Sequence, residues 1–425
     1  MAPALAAIAA LLSAIAAPTH VAGLELEFPS DWFPVRIPRV TREDLALPGH
    51  EELQRGGAPF ILTNALQSSE ALTDLTADWV KRKFGSRHAD LYEHGIRDTN
   101  DKPVITSASD ALEFVENSGL AGNGSYAMVR LGATQTAAVR ALMRPGYPAL
   151  FDSDWWLQSC LHSTAARDNV FLAVAWSILI VGSDSAGFHL HWDSINTGTF
   201  QFQVAGTKHW VVCDPRGEES FYDPGDIDAF APDLKAYPAF REALTKHCAH
   251  VAVAPGEALF YPSNWWHATK SDGATLGFVG RTVTRWNHKD VHQALRKRCD
   301  NPAPRTSKPP PKGAPPALSK EFCSALDTCA ELWADRFSVL EERSLERQAA
   351  SAGTTRRMLD GTVSHPDPEC RTAPQDRRDC SAGTHGECIA SGCCWGPTRA
   401  RCSTPGGSGS LDGASDLCPW CFAPA

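Results

Sequence analysis

A surplus of positive charge is what this 425-residue chain most clearly lacks: 40 Lys and Arg stand against 49 Asp and Glu, a formal net charge of −9. A general nucleic-acid binder neutralises phosphates with clustered Lys and Arg, so that class of partner is not expected. Beyond the N-terminus no run approaches the ~20 apolar residues of a spanning helix, and no stable membrane span is expected. G-x-S-x-G and H-E-x-x-H are both absent, which removes the serine nucleophile elbow and the two-histidine zinc helix. No repeat array is present. A Gly/Ser stretch, "PGGSGSLDGASD" (405–416), has no strand before it and no helix after it, so it is not a phosphate cradle.

What is there begins with "MAPALAAIAALLSAIAAPTHVAG", apolar from Leu5 to Ala17, with Ala14-Ile15-Ala16 as an A-x-A-like cleavage site. The pattern predicts a signal peptide over 1–22. Its n-region lacks Lys and Arg, so an uncleaved anchor or an organelle-targeting signal stays open. Eight of the 14 cysteines follow residue 369: Cys370, Cys380, Cys388, Cys393, Cys394, Cys402, Cys418 and Cys421. An even number packed into a short tail predicts a disulfide framework. A zinc site competes poorly, since that tail has one His and no paired C-x-x-C knuckles.

A catalytic-size domain is expected over 24–298, a Pro-rich linker over 299–319, a helical segment over 320–350 and the cysteine-rich module over 368–425. From Asn169 onward the pattern becomes short strands: "FLAVAWSILIVG", "FHLHWD", "TFQFQVAG", "KHWVVCDP", "ALFYP", "WWHATK" and "ATLGFVG". Many short strands at close spacing predict a sandwich or barrel, mainly β with flanking helices. In the helical segment Phe322, Leu326, Cys329, Trp333, Phe337 and Leu340 recur at three- and four-residue steps, a stripe that packs on the barrel.

The chemistry sits in the strands. On a two-residue period His189, His191 and Asp193 of "GFHLHWDSINTGTF" would share one face. Two histidines and a carboxylate hold Fe(II) on one face of an octahedron and leave positions open. H-x-D on a strand supplies two ligands, and "PGEALFYPSNWWHATK" offers His267 as the third, with Trp265 and Thr269 on its face. Between them, in "QVAGTKHW", Lys208 points with Trp210 and Val212 after a turn at Gly206. A lysine directed into an apolar barrel needs an anion, and a small-molecule carboxylate would serve. Each piece alone is weak, because a lone His on an apolar face is usually a satisfied core histidine. The ordered conjunction H-x-D, G-x-K-x-W, P-G-E…P-x-x-W-W-H is what carries weight.

Over residues 182–280 this order resembles the Jumonji-C (JmjC) and cupin-like family of Fe(II)- and 2-oxoglutarate-dependent oxygenases. The resemblance implies a double-stranded β-helix of the jelly-roll, cupin-like kind, with Fe(II) on His191, Asp193 and His267. It implies that Lys208 holds the distal carboxylate of 2-oxoglutarate, with Gln201 and Tyr126 beside it. Were Lys208 not the clamp, an Arg such as Arg281 would take its place. Two positions depart from the family pattern: Phe188, where several members carry a Thr, and Val279, where others place a hydroxyl. His189 is expected near the metal or facing substrate rather than as a ligand. The implied reaction consumes 2-oxoglutarate and O₂, forms succinate and hydroxylates a C–H bond.

The tail, "CRTAPQDRRDC…CIASGCCW…CPWCF", resembles a P-type (trefoil) domain over about 370–422. That resemblance implies bridges Cys370–Cys394, Cys380–Cys393 and Cys388–Cys421, with Cys402 and Cys418 pairing around the Gly/Ser insertion. It also implies a cleft for glycans or glycoproteins, with Trp395 and Trp420 as platforms; a protease-resistant cap is the plainer alternative. The expected function is a protein hydroxylase of the secretory pathway, in the ER or Golgi lumen or outside the cell, acting on a glycoprotein or matrix protein. A catalytically silent binding protein on the same scaffold is the alternative. Histone or protein lysine demethylation is disfavoured by the signal peptide, the disulfide module and the acidic balance.

Overall fold

Branched and aromatic residues concentrate in short stretches that fit a half-buried pleat, and these become the strands. They are β1 (Arg39–Val40), β2 (Phe60–Leu62), β3 (His88–Tyr92), β4 (Val104–Ser107), β5 (Tyr126–Leu131) and β6 (Ser177–Gly182). After them come β7 (Gly187–His191), β8 (Gly198–Cys213), β9 (Cys248–Val253), β10 (Ala258–Tyr261) and β11 (Trp266–Thr282). The computed structural model describes residues 26–333, apart from 48, 97–100, 120–123, 145–146, 148–150, 152–156, 158–159, 222–226 and 302–315, together with strand backbone at 394–398 and 418–422. The predicted signal peptide, the four tail disulfides, Phe337 and Leu340 lie outside the described residues. The chain divides into a unit Met1–Leu340 and a unit Glu341–Ala425.

Eleven strands of the first unit form one hydrogen-bonded sheet that passes through two long members, β8 and β11. The first half of β8 pairs with β10 and its second half with β9. The first half of β11 pairs with β7 and its second half, Thr275–Gly280, with β6. Each long strand therefore serves different neighbours along its two halves, as in a cupin-like double-stranded β-helix. The sequence pattern predicts a turn at Gly206 between "TFQFQVAG" and "KHWVVCDP", and separate strands "WWHATK" and "ATLGFVG". The structure joins both pairs into continuous strands. Gly206, at φ +65°, is the bend: a Cβ there would collide with the Ala274 carbonyl. On the facing strand the register shifts between Asp272 and Leu276 at the same level.

A second correction concerns "FLAVAWSILIVG". Its first residues belong to helix α1 (Thr164–Ala173), capped by Ser163, whose hydroxyl accepts the Ala166 N–H. The strand starts only at Ser177. Ala166 and Val170 bury a helical stripe, and a short apolar run cannot be assigned to helix or strand by periodicity alone.

One core fills the space between the sheet and its helices, with Phe60, Phe151, Phe200, Phe202 and Phe260 at its centre. Another joins α1, helix α2 (His288–Asp300) and the helical residues 320–333, where Phe322, Leu326, Cys329 and Trp333 are buried as the stripe predicts. The six cysteines outside the tail are all paired: Cys160–Cys329, Cys213–Cys248 and Cys299–Cys323. The sequence reading paired only the tail. Cys213 and Cys248 stand opposite each other on β8 and β9. Cys160–Cys329 spans 169 residues of sequence, and the chain-entropy account values so long a loop at roughly 5 kcal/mol. In the second unit β12 (Cys394–Thr398) and β13 (Cys418–Phe422) form an antiparallel ribbon, with Cys394 opposite Phe422.

Candidate metal centre

His191 closes β7 and stands opposite His267 on β11. The next matched pair is Phe188 with Thr269, so β7 carries one residue more than β11 between them. That extra residue is a β-bulge, and it breaks the two-residue alternation. Phe188 and His191 consequently both line the same cavity, whereas the His189 ring does not. The expectation that His189, His191 and Asp193 share a face is corrected here. His189 acts through its backbone: its carbonyl accepts from Nδ1 of His191 at 2.7 Å. Asp193 lies just past the strand end, in extended backbone at φ −72° and ψ 142°. A turn with Ile195 and Asn196 at positive φ follows it.

The ligand atoms of His191, Asp193 and His267 lie within 4.8 Å of one another. Nδ1 of His267 stands 3.2 Å from the Trp265 carbonyl. A carbonyl can only accept, so both imidazoles carry their proton on Nδ1 and turn a bare Nε2 toward the centre. Burial, ahead of the repulsion between the two rings, holds His191 well below its ordinary pKa, and burial lowers His267 as well. Neutral imidazole is the form a metal binds.

The carboxylate is held as firmly. Oδ2 of Asp193 accepts from Thr199 Oγ1 at 2.6 Å and from the Tyr261 hydroxyl at 3.0 Å. Thr199 and Tyr261 are paired directly across β8 and β10, which is why both reach one oxygen. Oδ1 faces the buried Arg281 guanidinium at 3.4 Å. Burial would raise the Asp193 carboxyl, but Arg281, then His267, His191 and the Thr199 bond, outweigh it and hold it below the usual carboxylate range. The Tyr261 hydroxyl also lies 3.1 Å from Nε2 of His267, but its single proton serves only one acceptor at a time. Two bare imidazole nitrogens and an ionised carboxylate, each oriented by a further hydrogen bond, fit a divalent metal ion.

The triad opens into a cavity of about 440 Å³. Lys208, Gln201 and Tyr126 line it, as do Trp210, Thr269, Phe188 and Val279. Lys208 is 1% exposed, and among the described residues its hydrogen bond is to the Tyr126 hydroxyl at 3.2 Å. Burial alone lowers its pKa to about 7. The Tyr126 phenol is pushed up, chiefly by burial. Gln201 donates from Nε2 to Gln203 at 3.0 Å, leaving its Oε1 buried without a partner. Arg281 is occupied elsewhere, donating from Nε to the Ala175 carbonyl at 3.0 Å and from Nη1 to Thr197 at 3.2 Å. Phe188 lies flat on His191 with ring centroids 3.9 Å apart.

The sequence reading missed Thr199 and Tyr261 as holders of Asp193. Thr199 shares a strand face with Gln201, and that spacing was the available signal. Arg130 and Arg298 also line the cavity and carried no sequence signal.

A cupin-like domain model matches residues 49–292 and a trefoil (P-type) domain model matches 370–424. Among curated relatives, HSPB1-associated protein 1 of Bos taurus is 24% identical over 268 residues, covering 55% of this chain and 52% of that protein. The tRNA wybutosine-synthesizing protein 5 of Danio rerio is 31% identical over 97 residues, 22% of this chain and 28% of that protein. JmjC domain-containing protein 1 of Schizosaccharomyces pombe is 25% identical over 135 residues, 30% of this chain and 27% of that protein. The chain thus spans about half the length of the first and less than a third of the other two. With the double-stranded β-helix, the His-Asp-His cluster and a matching model over more than half its length, the chain belongs to the cupin-like (JmjC-type) family and carries a trefoil domain.

Proposed function

We propose that this protein is an Fe(II)- and 2-oxoglutarate-dependent oxygenase that hydroxylates protein substrates in the secretory pathway. The carrying observation is the triad itself: two neutral imidazoles and a carboxylate within 4.8 Å, at the wall of a cavity that also holds a buried lysine. His191, Asp193 and His267 are the metal ligands on this reading, and Lys208, Tyr126 and Gln201 bind 2-oxoglutarate. The bound metal with 2-oxoglutarate and O₂ would supply the oxidising power for C–H hydroxylation. The chain's own part is orientation and exclusion of water. Backbone carbonyls of His189 and Trp265 keep the proton on Nδ1 of each histidine. Thr199, Tyr261 and Arg281 keep Asp193 ionised and aimed. Lys208 presents an ammonium to the distal carboxylate, with the Tyr126 hydroxyl beside it. Phe188, Trp210 and Val279 form the dry walls.

Localisation rests on three disulfides in the first unit and on the trefoil domain, both features of oxidising compartments. Bridges Cys370–Cys394, Cys380–Cys393, Cys388–Cys421 and Cys402–Cys418 complete the tail, which would bring glycoprotein substrates to the site. On this reading the oxygenase domain occupies 24–298, the linker 299–319 and the trefoil module 368–425. Thiol labelling of unfolded, unreduced protein should leave all 14 cysteines unmodified.

The deciding experiment is anaerobic titration of the Fe(II)-loaded protein with 2-oxoglutarate, followed by exposure to air. A weak visible charge-transfer band and succinate are expected. A folded, metal-loaded protein giving neither would favour the second reading, a catalytically silent binding protein. That alternative draws support from Phe188, whose ring covers His191 where other members place a small hydroxyl residue.

A further inference from the structure

The cavity carries charge that neither metal nor 2-oxoglutarate binding uses. Four cations line it, Lys208, Arg130, Arg281 and Arg298, against two carboxylates, Asp90 and Asp193. This local excess belongs to a chain whose net charge is −9. Both carboxylates are committed. Arg130 directs Nε and Nη2 to Oδ2 of Asp90 at 3.1 and 2.9 Å, and Arg281 faces Asp193. Lys208 is answered by a dicarboxylate on the reading above. Arg298, in the last turn of α2, remains: the charges that act on it are Arg281 and Arg130, and it makes no hydrogen bond or ion pair among the described residues.

Its position gives that charge a use. Arg298 is exposed and Arg130 partly so, which sets them where the cavity opens to solvent. Trp192, 44% exposed and tilted against Trp266 with ring centroids 4.3 Å apart, lines the same cavity. A guanidinium takes a carboxylate through two parallel hydrogen bonds. Arg130 spends only Nε and Nη2 on Asp90, so an edge remains on Nη1.

We propose that Arg298, with Arg130, receives the carboxylate of an acidic side chain on a peptide substrate, so that an Asp or Glu near the hydroxylated residue sets specificity. This rests on the oxygenase reading and names its substrate class. Phosphate is the other anion a guanidinium grips, and RNA would present it. The acidic balance of the chain repels a polyanion, whereas one or two carboxylates on a peptide meet only the local excess.

The test uses the full-length protein loaded with Mn(II) and a fluorescein-labelled peptide, Ala-Glu-Glu-Ala-Glu-Ala, read by anisotropy. Controls are its Gln counterpart and a short single-stranded RNA. The acidic peptide should bind about tenfold or more tightly than the Gln peptide, the scale of a charge-assisted hydrogen bond, and raised salt should weaken it. Arg298→Glu should abolish that preference, and Arg298→Lys should retain part of it. Equal binding of the two peptides, an unchanged preference in Arg298→Glu with an unaltered melting profile, or displacement by the RNA would overturn the proposal. Succinate formation is followed in parallel on Fe(II)-loaded samples of the same protein. A retained preference for Glu without turnover counts against the oxygenase and in favour of the acidic-peptide site.

Discussion

The two ends of the cavity are built on opposite principles. At the triad, protons and lone pairs are assigned within the protein: carbonyls take the Nδ1 protons and Thr199, Tyr261 and Arg281 surround Asp193. At the lysine end, Gln201 Oε1, Thr269 Oγ1 and Trp210 Nε1 are buried with no hydrogen-bond partner among the described residues, and Lys208 meets the Tyr126 hydroxyl and the rings of Tyr126 and Trp210. A buried, unsatisfied polar group costs about 1–3 kcal/mol. The triad therefore keeps its geometry by itself, while the lysine end holds donors, the Lys208 ammonium, the Thr269 hydroxyl and the Trp210 Nε1–H, that an anion's oxygens would satisfy, and one acceptor, Gln201 Oε1, that calls for a donor. Metal affinity should depend on the ligands and their holders, and stability on what faces Lys208.

The largest effect should come from breaking the self-sufficient end. Asp193→Ala removes a ligand and leaves Arg281 buried beside no carboxylate. Metal content should fall to background, an affinity loss beyond the ~100-fold seen when a ligand's supporting partner is lost. Folding stability should drop by about 3 kcal/mol, as when a buried ion pair loses one member. Metal analysis and chemical denaturation read the two separately; a variant that still binds one Fe(II) would remove Asp193 from the triad.

Next in size is the other end. Lys208→Ala should weaken 2-oxoglutarate by about ten- to a hundredfold, through loss of roughly 1.5–3 kcal/mol of charge-assisted bonding. Fe(II) affinity should hold, opposite to Asp193→Ala. Burial lowers the Lys208 pKa to about 7 from an ordinary 10.5. Between those values the unfolded chain binds a proton that the folded protein does not, so stability contributed here rises with pH across that window. Below about pH 7 both states are charged and the full burial cost remains. Lys208→Met should accordingly raise the melting temperature most on the acid side and flatten the rise between pH 7 and 10.5. A pH profile identical to that of the parent would mean that Lys208 is charged and satisfied.

The smallest effect should be that of Tyr126→Phe, which deletes the hydroxyl hydrogen-bonded to Lys208. A single neutral hydrogen bond is worth about 0.5–1.5 kcal/mol, so 2-oxoglutarate should bind about three- to tenfold more weakly with metal content unchanged. Calorimetric titration distinguishes this from no effect, and a loss of metal would show that the two ends are coupled.

Lys208 with Trp210 and His267 with Thr269 were legible because spacing along a strand fixes which side chains meet, and His191 with Asp193 because the backbone is still extended at Asp193, past the end of β7. Period and punctuation are local, and they survive into the fold wherever the strand is regular. The same logic failed at His189, because a bulge is set by how β7 must match β11. Gly206 was legible as a special position, but whether it turns or bends the chain depended on the carbonyl of Ala274 facing it.

By itself the sequence determined the barrel class and the order in which the His, Asp and Lys side chains of the cavity arrive, since these follow from composition and short-range periodicity. Tertiary structure alone decided that Tyr261 and Thr199 hold one carboxylate oxygen, that Arg281 serves Asp193, and that Cys160 finds Cys329 across 169 residues. It likewise decided that Arg130 and Arg298 open on the same cavity. Such contacts join elements far apart in the chain. Their energies depend on distance and burial in the packed state, which no local pattern encodes.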